Sequence, residues 1–254
     1  MTMNNPFSLE NKTALITGSA SGLGYAMAKC MIACGAKVII ADLNGEAAKN
    51  AAESLGPNAS WSQFNVAHTD ETESWVDGLL SQHNQIDILV NNAGNHCKKP
   101  LEEMSVADFE SVLDVHVVGA FALTRSLVPH MKQHGNACVL FTASMTSFLG
   151  QPYVTGYAAA KSAYLGLIHG MATELSGAGI RVNGVAPGWI DTPMLRKAIE
   201  GDDERKNKIL GRTPMKKFGK PEDIGWAATY LASDAAGFVS GQVLIVDGGA
   251  LIGF

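Results

Sequence analysis

The stretch Thr17-Gly18-Ser19-Ala20-Ser21-Gly22-Leu23-Gly24 decides how the rest of the chain is read. It follows an apolar run, Thr13-Ala14-Leu15-Ile16-Thr17, that reads as a buried strand, and it precedes a helix-forming segment through Cys34. The glycines let the backbone turn sharply between strand and helix and approach a bound group closely. The helix start then offers unpaired N–H groups and the positive end of the helix dipole, which suit a pyrophosphate. Glycine-rich turns also occur for packing alone; the position between first strand and first helix is what favours a nucleotide site. On this reading Gly18, Ser21, Gly22, Leu23 and Gly24 contact a dinucleotide.

Asp42 ends the second apolar run, Lys37-Val38-Ile39-Ile40-Ala41, about twenty residues after the glycines. A carboxylate there accepts hydrogen bonds from an adenosine ribose and repels a 2′-phosphate, and neither Ser21 nor Leu43 supplies a cation to offset that repulsion. The pattern favours NAD over NADP, although Asp42-Leu43-Asn44-Gly45 also reads as a plain turn before a helix. Gly35 suits the C-cap of the first helix. The alternation continues with a helix over 44–55, a weak strand over 61–66, a helix over 70–83 and a strand over 86–90. A capping box at Ser105–Asp108 opens a long helix toward 131. Then come a strand over 137–141, a helix over 153–175, a strand over 180–185, a helix from Pro221 to about 232 and a strand over 243–246. This is the pattern of one α/β domain over 1–254, a doubly wound parallel sheet with helices on both faces. The least regular part, 188–219, is polar, with a charge run at Asp202-Asp203-Glu204-Arg205-Lys206, and follows a strand end; it is expected to be a mobile substrate lid.

A net charge of −5 disfavours nucleic acid, which calls for a basic face. No apolar run reads as a bilayer span, and residues 1–12 are polar without a signal-peptide pattern, so a cytoplasmic protein is expected. Cys30, Cys34, Cys97 and Cys138 are scattered, and no disulfide framework is expected. His130 and His134 could share a helix face, but Met131 stands where a zinc-protease glutamate would; they read as a solvated helix end, and no metal site is expected.

Further motifs follow in order: Asn91-Asn92-Ala93-Gly94, Ser144, Tyr157-x-x-x-Lys161 and Pro187-Gly188. Together with the glycine stretch, their order and spacing resemble the short-chain dehydrogenase/reductase family along essentially the whole chain. The resemblance implies that Asn91, Asn92, Ala93 and Gly94 steady the central sheet and line the adenosine side, together with Val115. It implies that Pro187, Gly188, Ile190 and Thr192 hold the nicotinamide and that Lys161 binds the nicotinamide ribose. Asp247-Gly248-Gly249 matches the family's ending. Two departures stand out. Asn65 replaces the acidic residue that usually precedes the adenine-contacting valine, here Val66, and its amide can still hydrogen-bond adenine. His116 stands where the family has a catalytic asparagine, with two roles open to it: a hydrogen-bonding substitute that shapes a kink in the helix, or a proton relay. The family is commonly tetrameric through its two long helices, so a homotetramer is expected. Small residues such as Ala158, Ala159, Ala160, Ala163 and Gly166 would permit that contact, or would pack on the chain's own sheet.

Tyr157 and Lys161 are four apart and share a helix face. A free tyrosine titrates near ~10, too high for a base at neutral pH, and a lysine ammonium and an oxidised nicotinamide would both favour the phenolate. Tyr157 then takes a hydroxyl proton as hydride leaves the same carbon, and Ser144 orients the reacting oxygen. The plain alternatives are a surface helix pair and a strand-end cap. Asn95, His96, Gln151, Thr155, Trp189 and Met194 are the substrate candidates; polar groups beside a tryptophan face suit a polyhydroxylated molecule, and the set resembles the family's sugar and sugar-acid dehydrogenases. The expected activity is NAD(H)-dependent oxidation or reduction at a secondary alcohol of a sugar, sugar acid or polyol. The rival readings are a 3-oxoacyl thioester reductase, which Asp42 opposes, and a non-catalytic nucleotide-binding regulator, which the intact Ser144, Tyr157 and Lys161 oppose.

Overall fold

The structure is a computed structural model and describes residues 5–253; the side chains of Met194 and Ala198 lie outside the described set. Its strands are β1 (Thr13–Thr17), β2 (Lys37–Asp42), β3 (Ala59–Gln63), β4 (Ile88–Asn91), β5 (Ala137–Thr142), β6 (Ile180–Pro187) and β7 (Val243–Val246). They form one seven-stranded sheet in the order β3-β2-β1-β4-β5-β6-β7, with every pairing parallel. The strand order reverses between β1 and β4, which opens a crevice at their carboxyl ends.

The helices are α1 (Gly22–Ala33), α2 (Gly45–Leu55), α3 (Thr72–His83), α4 (Val106–Leu113), α5 (Gly119–His134), α6 (Thr155–Leu175), α7 (Pro193–Ile199), α8 (Asp203–Arg212) and α9 (Pro221–Ala232). Successive strand side chains point to opposite faces, and this alternation builds two cores. Ile16, Ile40, Val90 and Leu140 pack with Met27 and Met31 of α1, Ala48 of α2 and Ile224 and Ala228 of α9. Leu15, Ile39, Leu89 and Val139 pack with Val76 of α3, Leu123 and Leu127 of α5 and Tyr164 and Ile168 of α6. Strands buried on both faces therefore carry near-continuous apolar runs, which made β1, β2 and β5 readable.

The differences from expectation are local and have causes. The third strand lies earlier, at Ala59–Gln63, because the Asn65 side chain accepts from Ala67 N (3.1 Å) and turns the chain away. The fourth is Ile88–Asn91; just before it the Asp87 backbone already donates to the Thr13 carbonyl and accepts from Cys138 N, both at 2.9 Å, while its carboxylate accepts from Thr13 N (2.8 Å). Helix α6 starts at Thr155: Tyr153 has φ +67°, outside the helical region. The capping box at Ser105 and Asp108 is present. The long helix contains a π turn at Asp114–Val118 between α4 and α5, as insertions of this kind do at functional sites. This helical run, Val106–His134, is long and apolar enough to cross a bilayer, which the sequence reading did not pick out; here it lays Leu123, Leu127 and Met131 on the sheet. Two helices, α7 and α8, occupy much of 188–219, where irregular chain was expected. All four cysteines are free. The rings of His130 and His134 lie 4.6 Å apart, and no group of three or more potential ligands for a metal occurs among the described residues.

Candidate active site

The glycine stretch folds as the tight turn its sequence suggests. Gly18 has φ +60°, and a β-carbon on it would lie 2.8 Å from Ala93 Cα. A β-carbon on Gly24 would lie 2.5 Å from the Gly18 carbonyl oxygen. Neither position tolerates a side chain, so loop and helix are drawn against the end of β4. Two residues fasten this approach. The Thr17 hydroxyl accepts from Asn92 N (3.1 Å) and Ala93 N (3.0 Å), and Asn92 Nδ2 donates to the carbonyls of Thr17 and Gly18, both at 2.9 Å. Asn91 reaches the other way, donating to Thr124 Oγ1 of α5 (3.0 Å). Ser21, the N-cap of α1, makes no side-chain capping bond, so the first-turn N–H groups at Leu23 and Gly24 point outward without a side-chain acceptor. An open helix N-terminus behind a loop with no room for side chains is the cradle a dinucleotide pyrophosphate requires, and the residues present fit that group.

Asp42 lies beside this loop. Its carboxylate accepts from Ala20 N and from Asn44 N, each at 3.1 Å. It therefore makes the plain turn read from its sequence and also ties the glycine loop, while its remaining lone pairs stay available. Asn65 is committed to Ala67 N, and Val66 is buried with its carbonyl against Gly119. On the opposite side Pro187 ends β6, and a β-carbon on Gly188 would lie 2.5 Å from Asp247 Cβ. Asp247 accepts from Gly249 N and Leu251 N, which fixes the turn that faces Gly188. The Ile190 side chain belongs to the hydrophobic core, so only its backbone is free to meet a ligand. The Thr192 hydroxyl caps α7 by accepting from Leu195 N (3.3 Å). The Trp189 carbonyl accepts from Gly219 N (3.0 Å). Gln151 is half-buried and Thr155 exposed, while the Met194 side chain lies outside the described residues.

Ser144, Tyr157, Lys161 and His116 come together. Ser144 follows β5, is nearly buried, and accepts from Thr146 N (3.1 Å), the strand-end cap of its alternative reading. Lys161 is 3% exposed; its ammonium donates to the Thr142 carbonyl (2.6 Å) and sits 5.4 Å from the Tyr157 ring centre and 4.8 Å from that of Tyr164. A buried lysine between two aromatic faces and one carbonyl is poorly solvated, and burial pulls its pKa down to about 7. Burial pushes the Tyr157 phenol up, against a smaller opposite effect of its hydrogen bond with Ser144. The expectation that a lysine ammonium and an oxidised nicotinamide would both favour the phenolate meets an opposing effect in this structure, the loss of solvent around the phenol.

His116 is 1% exposed, in the π turn, with its ring edge-on to Tyr157 at 5.5 Å. Its Nε2 pairs with the Asn95 carbonyl (2.9 Å), so that nitrogen carries the proton; Nδ1 is buried and has no hydrogen-bond partner among the described residues. Burial, then the nearby Lys161, holds its pKa down to about 3, so the ring is neutral across the working range. The His96 and Tyr157 rings also meet edge-on, with centres 5.1 Å apart. Sequence reasoning quoted Thr17 at the head of the glycine stretch without giving its hydroxyl a role, and it missed Thr142 and Tyr164. Tyr164 could have been found, since it lies seven residues after Tyr157 and three after Lys161 on the same helix face; the Thr142 contact is through backbone and leaves no mark in the sequence.

Comparison with known proteins gives the family. Residues 18–250 match the family described as enoyl-(acyl carrier protein) reductase. The chain is 38% identical over 253 residues to 5-keto-D-gluconate 5-reductase of Escherichia coli K12, covering 98% of this chain and 99% of that one. It is 37% identical over 247 residues to 3-oxoacyl-[acyl-carrier-protein] reductase FabG of Thermotoga maritima, covering 96% and 99%. Among solved structures, gluconate 5-dehydrogenase of Burkholderia cenocepacia J2315, in complex with NADP and tartrate, superposes with a TM-score of 0.92 at 34% identity, covering 96% of this chain and 97% of that one. The chain belongs to the short-chain dehydrogenase/reductase family, and it is an oxidoreductase that works with a nicotinamide cofactor.

Proposed function

We infer that the protein interconverts a secondary alcohol and a ketone on a sugar, sugar acid or polyol, with Tyr157 as the proton-transfer group. The observation that carries this reading is the junction of Ser144, Tyr157 and Lys161 at the end of β5, opening toward the polar segment at Asn95 and His96. A bound nicotinamide dinucleotide would supply the hydride acceptor or donor. Gly18, Ser21, Gly22, Leu23 and Gly24 would hold its pyrophosphate, and Asp42 its adenosine ribose. Val66, Asn92, Ala93, Gly94 and Val115 would line the adenosine side; the backbone of Pro187, Gly188, Ile190 and Thr192 would hold the nicotinamide end.

In reduction, the buried Tyr157 phenol already holds the proton it must give to the carbonyl oxygen. Ser144 donates a second hydrogen bond to that oxygen and fixes its position. Lys161, poised near neutrality behind the phenol ring, stabilises the phenolate left behind. Oxidation runs the same proton back. His116 is a neutral positioning group: its N–H holds Asn95, and its ring backs Tyr157. The segment 188–219 closes over this opening as a lid, and the long helices α4–α5 and α6 carry a homotetramer interface.

Asp42 favours NAD over NADP, although the Burkholderia relative was crystallised with NADP. The likeness to the Thermotoga enzyme supports a second reading, reduction of a 3-oxoacyl thioester. Purified protein assayed with NAD and NADP against sugar acids, polyols and, in reverse, a 3-oxoacyl thioester separates the two. Efficient thioester reduction with NADPH and none of sugar-type ketones would replace the first reading with the second.

A further inference from the structure

The segment from Asn95 to Lys99 is fastened at both ends beside Tyr157. At one end the Asn95 carbonyl accepts from His116 Nε2 and its Nδ2 donates to the Ser111 carbonyl, both at 2.9 Å. At the other, Lys99 N donates to the Tyr153 carbonyl (3.0 Å), and Lys99 Nζ pairs with Asp108 at 2.8 Å. Tyr153 itself is kept at φ +67°, unfavourable for a bulky side chain and of the kind found where a site over-determines its backbone. Between these anchors lie His96, Cys97 and Lys98. The His96 imidazole abuts the Tyr157 ring. Burial, and then the charge of Lys98, disfavour its protonated form, so the ammonium of Lys98 is felt at the imidazole. Lys98 is exposed, and no carboxylate lies within ion-pair distance of it among the described residues, whereas the charge of Lys99 is matched by Asp108. In a chain of net charge −5, an imidazole thus stands beside the Tyr157 ring, with an unpaired lysine two residues further along the same strap.

We propose that this strap is a carboxylate subsite: the substrate is an anionic hydroxy acid whose carboxylate is received by His96 and Lys98 while Tyr157 acts on a hydroxyl further along the same molecule. The proposal rests on the reading of Tyr157 as the proton-transfer group and narrows its substrate from sugars, polyols and sugar acids to the acids. An imidazole N–H and an ammonium offer separate donors to the two carboxylate oxygens, and bonds to an ionised acceptor are the strong ones. Anchoring at Asn95 and Lys99 lowers the backbone part of the ordering cost of presenting them. A neutral polyol leaves Lys98 without a counter-charge.

The test is the oxidation of D-gluconate and of D-glucitol, its neutral counterpart, by wild type, Lys98→Met and His96→Asn, with Lys132→Met at the far end of α5 as control. Wild type prefers gluconate. Each of the two strap substitutions lowers the gluconate-to-glucitol ratio of kcat/KM about tenfold, through KM for gluconate more than through kcat, and the control keeps the wild-type ratio. Equal use of the two substrates by wild type, or an equal fall for both in Lys98→Met, overturns the subsite while leaving the role of Tyr157 standing. Absence of turnover on any alcohol or ketone overturns the Tyr157 reading and the subsite with it.

Discussion

Replacing Lys161 by methionine should stabilise the protein while abolishing its activity. Lys161 is buried between two tyrosine rings with one carbonyl as its hydrogen-bond acceptor, and its pKa lies at about 7 against 10.5 for the free side chain. Each unit of that depression is 1.36 kcal/mol of preference against the charged form, so keeping a lysine here costs the fold about 4 kcal/mol at neutral pH. Methionine fills a similar volume without the charge. It forfeits the bond to Thr142 O, worth about 1.5–3 kcal/mol for a charged donor, which leaves a net gain of about 2 kcal/mol, or roughly 4–8 °C in Tm for a domain of this size. The gain depends on pH with a definite sign. Below about pH 7 both folded and unfolded lysine are protonated and the penalty is complete. Between 7 and 10.5 the unfolded chain holds a proton that the folded chain has released, so wild type gains stability as pH rises. Urea unfolding of wild type and Lys161→Met at fixed protein concentration, near pH 6 and near pH 9.5, measures this. The variant should be the more stable at the lower pH and lose that advantage at the higher. A variant less stable than wild type at the lower pH, or a difference independent of pH, would refute the reasoning.

Other outcomes follow from the same geometry. Asp42→Ala should weaken NAD by roughly tenfold to a hundredfold, the worth of about 1.5–3 kcal/mol in hydrogen bonds to a carboxylate, and narrow the gap to NADP; titration with each cofactor checks it, and a wild type that prefers NADP contradicts it. His116→Asn should cost little in kcat and His116→Ala more, because only the amide can still serve the Asn95 carbonyl. With His116 neutral down to about pH 3, a rate limb near neutrality belongs to Lys161 and persists in His116→Asn; its disappearance there would make the imidazole a proton relay. Because burial raises the Tyr157 phenol, reduction should show a second limb on the alkaline side of the Lys161 limb, falling as the phenol loses the proton it must give, and a reduction profile with no such alkaline fall would contradict this.

Much of the fold was legible because its central strands are buried on both faces. Leu15 and Ile16, or Leu89 and Val90, serve opposite cores, so the apolar runs stand out without any alternation. Strand β7 was readable to the residue, and helix α9 closely, from Pro221 at its start. The edge strand β3 was not, since Ala59–Gln63 is half exposed and polar, and Trp61 drew the reading downstream. At the site, spacing alone put Tyr157 and Lys161 on one face. What it could not give is the balance of burial against charge, which depends on Thr142 from a strand and Tyr164 from the next helical turns. The π turn at Asp114–Val118 carries no mark in composition, since no proline or glycine precedes Gly119; only the resemblance, through the kink it implies at His116, pointed there, and the turn swings His116 inward to Asn95.

The central claim is that Tyr157 carries the proton that accompanies hydride transfer. The most direct measurement is the reduction of oxidised nicotinamide cofactor by wild type and by Tyr157→Phe with the best substrate of a sugar-acid and polyol panel, alongside cofactor binding by each. Wild type should turn over, and the variant should bind cofactor normally and lose about 10²–10⁴-fold in kcat, the usual share of a general acid–base group. A Tyr157→Phe enzyme with near-full turnover would contradict the account.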